Sequence, residues 1–420
     1  MSTPKSKPTV VQIASYNCNL QGDNALPQNL VDWLKPTLSQ GNSTYDAPDI
    51  IAVGFQELLP LHLGFTGLSR TVMDSRNELI LRELQKYAGT PYTSVARSVF
   101  VGVAVLVYAK DDGIARRIDD VQTSWTGCGP LYLGNKGAVG VRFRVKGSDE
   151  LNDETYTFVA VHLTAHAYNL ESRIADYKRI VRTLLFPPPP SSTPNSNSRH
   201  TTMYATSHLF FFGDCNFRLR ETSDTPAIHE ELVRAKLDST SGLKELAELD
   251  QLSWEMRNGR VCQGLTEGDF SAFPPTYKHT IGSKEQYSTK RTPAWTDRIM
   301  FATYTDTPDK PAASSIKPLL YTSAPSYVSS DHKPITAVLL VPPPSPKSTT
   351  PPLLAPPPDH LQPAIFHNLS RYTGKVLGWV LGWIWYLFAV IGMGRTSIGI
   401  GNFVVGMGAM AWWNRSSASS

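Results

Sequence analysis

FFGDCNFRLR, residues 211–220, closes a run of four hydrophobic residues that begins at Leu209. A short apolar run stopped by glycine reads as a buried β-strand. Asp214 and Asn216 then stand at the strand's exit. In an extended chain, residues two apart point the same way. The reading therefore expects both side chains to face one cleft at the end of a sheet.

Six more runs have the same character: VVQIASYN, DIIAVGFQ, VGVAVLVYA, GAVGVRFRV, YTFVAVHLT and ITAVLLV. Between them, residues 77–87 and 172–185 carry helical patterns. Strands mixed with a few helices over residues 1–341 predict an α/β sandwich. At 420 residues, 41% hydrophobic and 18% charged, the chain has the composition of a globular protein. A net charge of +4 gives no reason to expect a nucleic-acid partner. Cys18, Cys128, Cys215 and Cys262 form no CxxC pair, which argues against zinc clusters and a disulfide scaffold and predicts a reducing compartment. No apolar stretch near residue 1 reads as a signal peptide.

Polar residues recur where these runs end: Asn17 and Asn19, Gln56 and Glu57, His162, Asp214 and Asn216, and, in SSDHKPI, Asp331 and His332. A lone glutamate after a strand is ordinarily a solvated loop residue, and a lone histidine a satisfied structural one. Five such endings together are different, because the strand ends of α/β folds gather into one cleft. Carboxylate and amide oxygens with one or two imidazoles suit a hard cation such as Mg²⁺ and a phosphoryl substrate.

The ordered set SYNCN, GFQE, LGNKGAVGVRF, VHLTAH, GDCNFRL, PPTYKHT, RTPAWTDRI and SDHKP resembles the motif series of the inositol polyphosphate 5-phosphatases, a branch of the endonuclease/exonuclease/phosphatase superfamily. PPTYK and PAWxDRI are specific to that branch, whereas GDxNxR and SDH are shared across the superfamily. The resemblance implies a DNase I-like fold, a four-layer α/β sandwich of two packed mixed sheets flanked by helices. It implies Mg²⁺ held by Glu57, with Asn17 and Asp331 beside it. It makes Asp214 the base that takes a proton from the attacking water, with Asn216 orienting that water. His332 would stabilise charge on the phosphate, Asp297 would orient His332, and His162 would donate to a phosphate oxygen. Asn135, Lys136, Tyr277, Lys278 and Arg291 would grip the head group, including its 4-phosphate. In YSTKRTP, residues 287–293, the chain is shorter than the family's usual run, and Lys290 stands in for a family lysine. The implied activity is phosphatidylinositol 4,5-bisphosphate 5-phosphatase, with a monomer acting on a lipid head group.

Residues 342–363 are proline-dense and read as an extended spacer, and residues 187–202 as a flexible insertion. Beyond the spacer, residues 376–394 carry no charge and approach the length a helix needs to cross a bilayer. They read as a tail anchor, with residues 398–413 a second apolar segment of open role. Arg371 and Lys375 before the span place the body in the cytosol, and a span of only moderate hydrophobicity suits the endoplasmic reticulum. Two rival readings remain at this point: a superfamily nuclease, and a catalytically dead lipid-binding tether.

Overall fold

The computed structural model describes residues 7–20, 34, 47–147, 152–188, 200–221, 226–306, 314–344, 353–354, 362–392 and 395–417. The greater part of the proline-dense spacer and of the 187–202 insertion lies outside them.

Two six-stranded sheets face each other. In the first, β1 (Thr9–Asn17), β2 (Ile50–Gln56), β3 (Tyr92–Phe100), β4 (Val103–Lys110), β11 (Lys317–Ser323) and β12 (Ile335–Val341) take the order β11-β12-β1-β2-β4-β3. In the second, β5 (Ile118–Gly127), β6 (Gly137–Val145), β7 (Glu154–His162), β8 (His208–Asp214), β9 (Thr266–Glu267) and β10 (Asp297–Thr303) take the order β5-β6-β7-β8-β10-β9. Among the described strands, β1 with β2 and β7 with β8 pair in parallel and the other pairs are antiparallel.

Alternation along each strand builds three cores. Phe210 and Phe212 of β8 meet Ile13 of β1 and Val105 of β4 between the sheets, while Leu209 and Phe211 turn outward. The outward face of β8 is covered by Ile174, Tyr177 and Ile180 of a helix at Leu170–Thr183. On the other side, Val72, Ile80 and Leu84 of a helix at Ser69–Ala88 cover the outward face of β1, β2 and β4. The run at 209–212 is continuously apolar because both faces of its strand are buried. The layers are therefore helix, sheet, sheet, helix, as the resemblance implied. Among the described residues the α-helices, in chain order, are α1 (Leu61–Thr66), α2 (Ser69–Ala88), α3 (Leu170–Thr183), α4 (Pro226–Ala235), α5 (Thr240–Ala247), α6 (Gln251–Arg257), α7 (His367–Ile391) and α8 (Thr396–Ser417).

Residues 376–394 fall mainly within α7, which starts earlier than the uncharged run and is the one helix among the described residues long and apolar enough to cross a membrane. α8 covers the second apolar segment and folds back on α7, with Phe403 and Phe388 rings 5.4 Å apart. α7 packs against the sandwich over much of its length: Arg371 lies over the Trp125 ring at 4.5 Å, and the Trp385 ring lies 5.6 Å from His62 of α1.

Candidate active site

Strand register brings the polar endings together. β7 and β8 run in parallel with His162 level with Asp214, and β10 runs against β8 with its first residue, Asp297, opposite Asp214. β1 ends beside β2, which sets Asn17 level with Gln56 and next to Glu57. β12 runs against β1, so the SDHKP loop that precedes it arrives at the same end of the sandwich, where Ser330 Oγ donates to the Asn17 carbonyl at 2.7 Å. Gly213 sits at φ 139°, and a side chain there would strike the Val161 carbonyl at 2.2 Å. The glycine before Asp214 thus permits the close β7–β8 approach that places the carboxylate.

Asp214 is 1% exposed and almost fully partnered. Its Oδ2 accepts from Asn17 Nδ2 at 2.9 Å and Asn216 Nδ2 at 3.0 Å, and His162 Nε2 lies 3.3 Å away. Its Oδ1 accepts from the Asn216 backbone N–H at 3.0 Å. Asn216 does share the cleft with Asp214, but not by strand alternation. At φ 57° the chain turns back on itself, and Asn216 curls around the carboxylate it follows. Glu57 leaves β2 in the same left-handed region, at φ 49°. Such backbone costs free energy in non-glycine residues and concentrates at functional sites.

His332 Nδ1 donates to Asp297 Oδ2 at 2.9 Å, and that same oxygen accepts from Thr276 Oγ1 at 2.7 Å and Thr296 Oγ1 at 3.0 Å. His332 Nε2 stands 3.9 Å from Asp214 Oδ2. Burial alone would lower the pKa of His332, but the carboxylates of Asp297 and Asp214 outweigh it and raise the imidazole to about 9. Burial would likewise raise Asp214; His332, His162 and Lys136 outweigh it and hold the carboxyl well below its usual range. Asp214, Asp297 and His332 bring potential ligand atoms within 4.8 Å of one another. With Asp297 Oδ2 already shared by three donors, the trio is an ion-pair relay rather than a metal cage. Asp297 also makes no pair with its neighbour Arg298, which is held instead by Asp250 at 2.8 Å and by Glu267.

The relay opens on a cleft of ≈ 580 Å³ lined by Glu57, Lys136, Lys278, Lys290, Arg291 and Asp331 among others. Lys278 pairs with Asp331, and the Lys136 ammonium rests against His162. The Tyr277 ring lies 4.6 Å from that of His332, tilted by 42°. Lys290 reaches the cleft despite the shortened segment. Asn135 does not line it: in the turn that precedes β6 its amide oxygen lies against Gly129, while Lys136 takes the cleft side.

Asn19, one of the polar strand endings, lines the cleft, as do His166 and Arg218, which the sequence patterns do not bring out. Arg218 donates to Asn216 Oδ1 at 2.5 Å and lies over the Tyr277 ring at 4.3 Å. Its place in GDxNxR was a usable signal, since the arginine follows the asparagine by two.

Residues 14–338 match the Endonuclease/Exonuclease/phosphatase family 2. The type I inositol polyphosphate 5-phosphatase 8 of Arabidopsis thaliana is 30% identical over 360 residues, covering 74% of this chain and 67% of that one. The chain belongs to the inositol polyphosphate 5-phosphatase family. Members of this family are phosphoric monoester hydrolases. The mouse type II inositol 1,4,5-trisphosphate 5-phosphatase is 30% identical over 330 residues, which is 78% of this chain but only 29% of that longer protein. In structure, the chain is similar to the inositol polyphosphate 5-phosphatase domain of SPsynaptojanin in complex with inositol (1,4)-bisphosphate and calcium ion. The TM-score is 0.60 at 29% identity, covering 80% of this chain and 85% of that one.

Proposed function

We propose that this 5-phosphatase family member hydrolyses the 5-phosphate of phosphatidylinositol 4,5-bisphosphate at an intracellular membrane, with Mg²⁺ as cofactor. The observation that carries the reading is the Asp297–His332–Asp214 relay at the mouth of a cleft rimmed by Lys136, Lys278, Lys290 and Arg291. Clustered cations recognise neighbouring phosphates through charge-assisted contacts. A nuclease would need no such cluster beside PPTYK, and a dead tether would have lost part of the relay. The related SPsynaptojanin domain in complex with inositol (1,4)-bisphosphate supports an inositol phosphate as ligand.

The donor set at the cleft fits a hard cation. Glu57, Asp331 and the Asn17 amide offer oxygens, and the nearby Cys18 thiol is buried and pushed far up, so no thiolate competes. Glu57, with Asn17 and Asp331 beside it, would hold Mg²⁺; a bound divalent ion neutralises charge on the scissile phosphate. The chain's own groups do the rest. Asp214 is ionised, fixed by Asn17 and Asn216, and takes the proton of the attacking water. The arriving phosphate draws on the same cations that depress Asp214, which restores basicity to the carboxylate as substrate binds. His332, kept cationic and aimed by Asp297, stabilises charge on the phosphoryl oxygens. The new P–O bond forms in line as the bond to the inositol oxygen breaks, and that oxygen leaves as the alcohol with a proton from solvent.

The tail supports a membrane location. α7 places Val380, Trp383, Leu387 and Val390 on its exposed side, and the moderate hydrophobicity of the span favours the endoplasmic reticulum with the catalytic body on the cytosolic side. Phosphate release from a panel of soluble inositol phosphates and phosphoinositide vesicles tests the assignment. Preference for substrates with both 4- and 5-phosphates is expected, and release from nucleic acid alone would overturn it.

A further inference from the structure

One loop touches both the cleft and the C-terminal helix. Residues 128–136 connect β5 to β6 as a tight turn, closed by hydrogen bonds from Cys128 N to the Lys136 carbonyl at 2.7 Å and from Gly129 N to the Leu133 carbonyl at 3.0 Å. At one end of that turn, Lys136 enters the cleft against His162. At its tip, Leu131 and Tyr132 occupy consecutive left-handed positions, φ 53° and 68°. Side chains seldom adopt such backbone unless their surroundings impose it.

Two neighbours hold this tip. The Arg179 guanidinium of α3 covers the Tyr132 ring at 3.7 Å while its Nε donates to the Gly127 carbonyl at 2.8 Å. On the other side lies α7, whose glycines recur every fourth residue at 374, 378 and 382. A methyl group at Gly374 would fall 2.2 Å from the Tyr132 carbonyl oxygen, and one at Gly378 would lie 2.9 Å from the Phe65 ring and 3.3 Å from Leu133. One at Gly382 would lie 2.5 Å from Phe65 Cβ. Only a helix bare of side chains along this row can come so close to the loop and to α1.

We infer that the C-terminal helix is a working part of the active-site scaffold: seated through Gly374 on the 128–136 loop, it positions Lys136 for the substrate phosphates. Seating of α7 and affinity for substrate are then coupled, and Gly374 and Tyr132 are positioning residues. The inference rests on the proposed role of Lys136 in gripping phosphate.

The test uses the purified full chain in lipid nanodiscs with a soluble inositol trisphosphate, so that access to a membrane substrate plays no part. Gly374→Leu should raise KM about tenfold, the scale of one charge-assisted contact, with kcat within about twofold; Val390→Leu, on the exposed side of α7, should change neither. In a Lys136→Ala background Gly374→Leu should add nothing further, since both act through one contact. Amide exchange across residues 128–136 should quicken in Gly374→Leu. A folded Gly374→Leu chain with unchanged KM and unchanged exchange overturns the inference, as does a full additive effect in the Lys136→Ala background. Should Gly374→Leu fail to fold, Gly378→Leu, whose nearest neighbours are the side chains of Phe65 and Leu133 rather than backbone, is read the same way. If Lys136→Ala itself leaves KM unchanged, the role assigned to Lys136 fails, whereas faster loop exchange in Gly374→Leu still supports the clamp.

Discussion

His332 and Asp297 face each other across a 2.9 Å hydrogen bond from Nδ1 to Oδ2, in a position where both are buried and two threonine hydroxyls fix the carboxylate. This pairing keeps the imidazole charged. With its pKa raised from the ordinary value of 6.5 to about 9, His332 is a cation through neutral pH and loses its proton only as pH rises through about 9. Turnover should therefore fall on the alkaline side with an apparent pKa near 9. The stabilisation from this pair runs the same way, fully present below 6.5 and lost as pH rises through about 9. Asp297→Asn should lower kcat by ~10²- to 10⁴-fold and move the alkaline limb to lower pH. A pH–rate profile of the two proteins decides it, and an unmoved limb would assign the proton elsewhere.

Asp214 takes hydrogen bonds from Asn17 and Asn216, so removing it takes an acceptor from both amides, Asn216 keeping the Leu163 carbonyl at 3.1 Å, as well as removing the base. Asp214→Asn keeps the shape and should still cost ~10²- to 10⁴-fold in kcat. Near-normal turnover would sink its role as base. Glu57→Gln tests the metal separately: the wild-type chain should lose activity in chelator and regain it with Mg²⁺, and Glu57→Gln should need a higher Mg²⁺ concentration for half its activity. An enzyme indifferent to chelation would refute Glu57 as a ligand.

Specificity should rest on the rim. Lys278 pairs with Asp331, and Arg291 and Lys290 stand exposed beside it. Lys278→Ala should weaken substrates that carry a 4-phosphate by about tenfold to a hundredfold, the range of a charged hydrogen bond. Substrates lacking that phosphate should change far less. Comparing kcat/KM for the two classes measures it, and an equal loss on both would mean that Lys278 acts through Asp331 instead.

The sandwich was legible where strands are buried on both faces, because 209–212 or 103–107 can only be continuous apolar runs. It was not legible at the sheet edges. β3, β5 and β11 lie at or next to solvent and mix polar with apolar residues, as in YTSVARSVF and IDDVQTSWTG, so their periodicity is weak. β10 is fully buried yet hid behind the motif RTPAWTDRI. At the site, Asp214 and His162 end neighbouring strands and stand out as strand endings, whereas Asp297 begins β10 and His332 lies in the loop before β12, so their pairing is implied only by the family motifs. Arg218, His166 and the turn at Asn216 escaped because they depend on backbone in the left-handed region or on loop paths, which no periodicity encodes. The packing of α7 on the sandwich escaped for a similar reason. Its signal was the glycine row at 374, 378 and 382, which reads equally well as a lipid-facing feature until Phe65 and Tyr132 are seen against it.

Arg298 sits with no exposure between Asp250 and Glu267, at 2.8 Å from Asp250, and ties β10 to β9 and to the residue that caps α6. Arg298→Met would leave two buried carboxylates without a counter-charge. The expected cost is about 3–5 kcal/mol, read from the denaturant midpoint of the purified protein. A loss under about 1 kcal/mol would mean that water reaches the pair.

The membrane reading makes a prediction that can be separated from catalysis. Ile384 and Leu387 are half-exposed on α7, two and five residues beyond Gly382, the last of the glycines that meet the sandwich. Lysine near the centre of a membrane helix costs about 2.5–3.5 kcal/mol per residue on the insertion scale, so Ile384→Lys with Leu387→Lys should prevent stable insertion while leaving Gly374, Gly378 and Gly382 free to dock. In cells, the double variant should move from the carbonate-resistant pellet to the soluble fraction and lose hydrolysis of membrane phosphoinositide. On a soluble inositol trisphosphate in the tube it should keep the KM of the unmodified chain, because the loop that carries Lys136 remains clamped. A variant that still resists carbonate would show that α7 is not the anchor. A soluble variant with weakened affinity for the soluble substrate would show instead that the bilayer itself holds α7 against the loop.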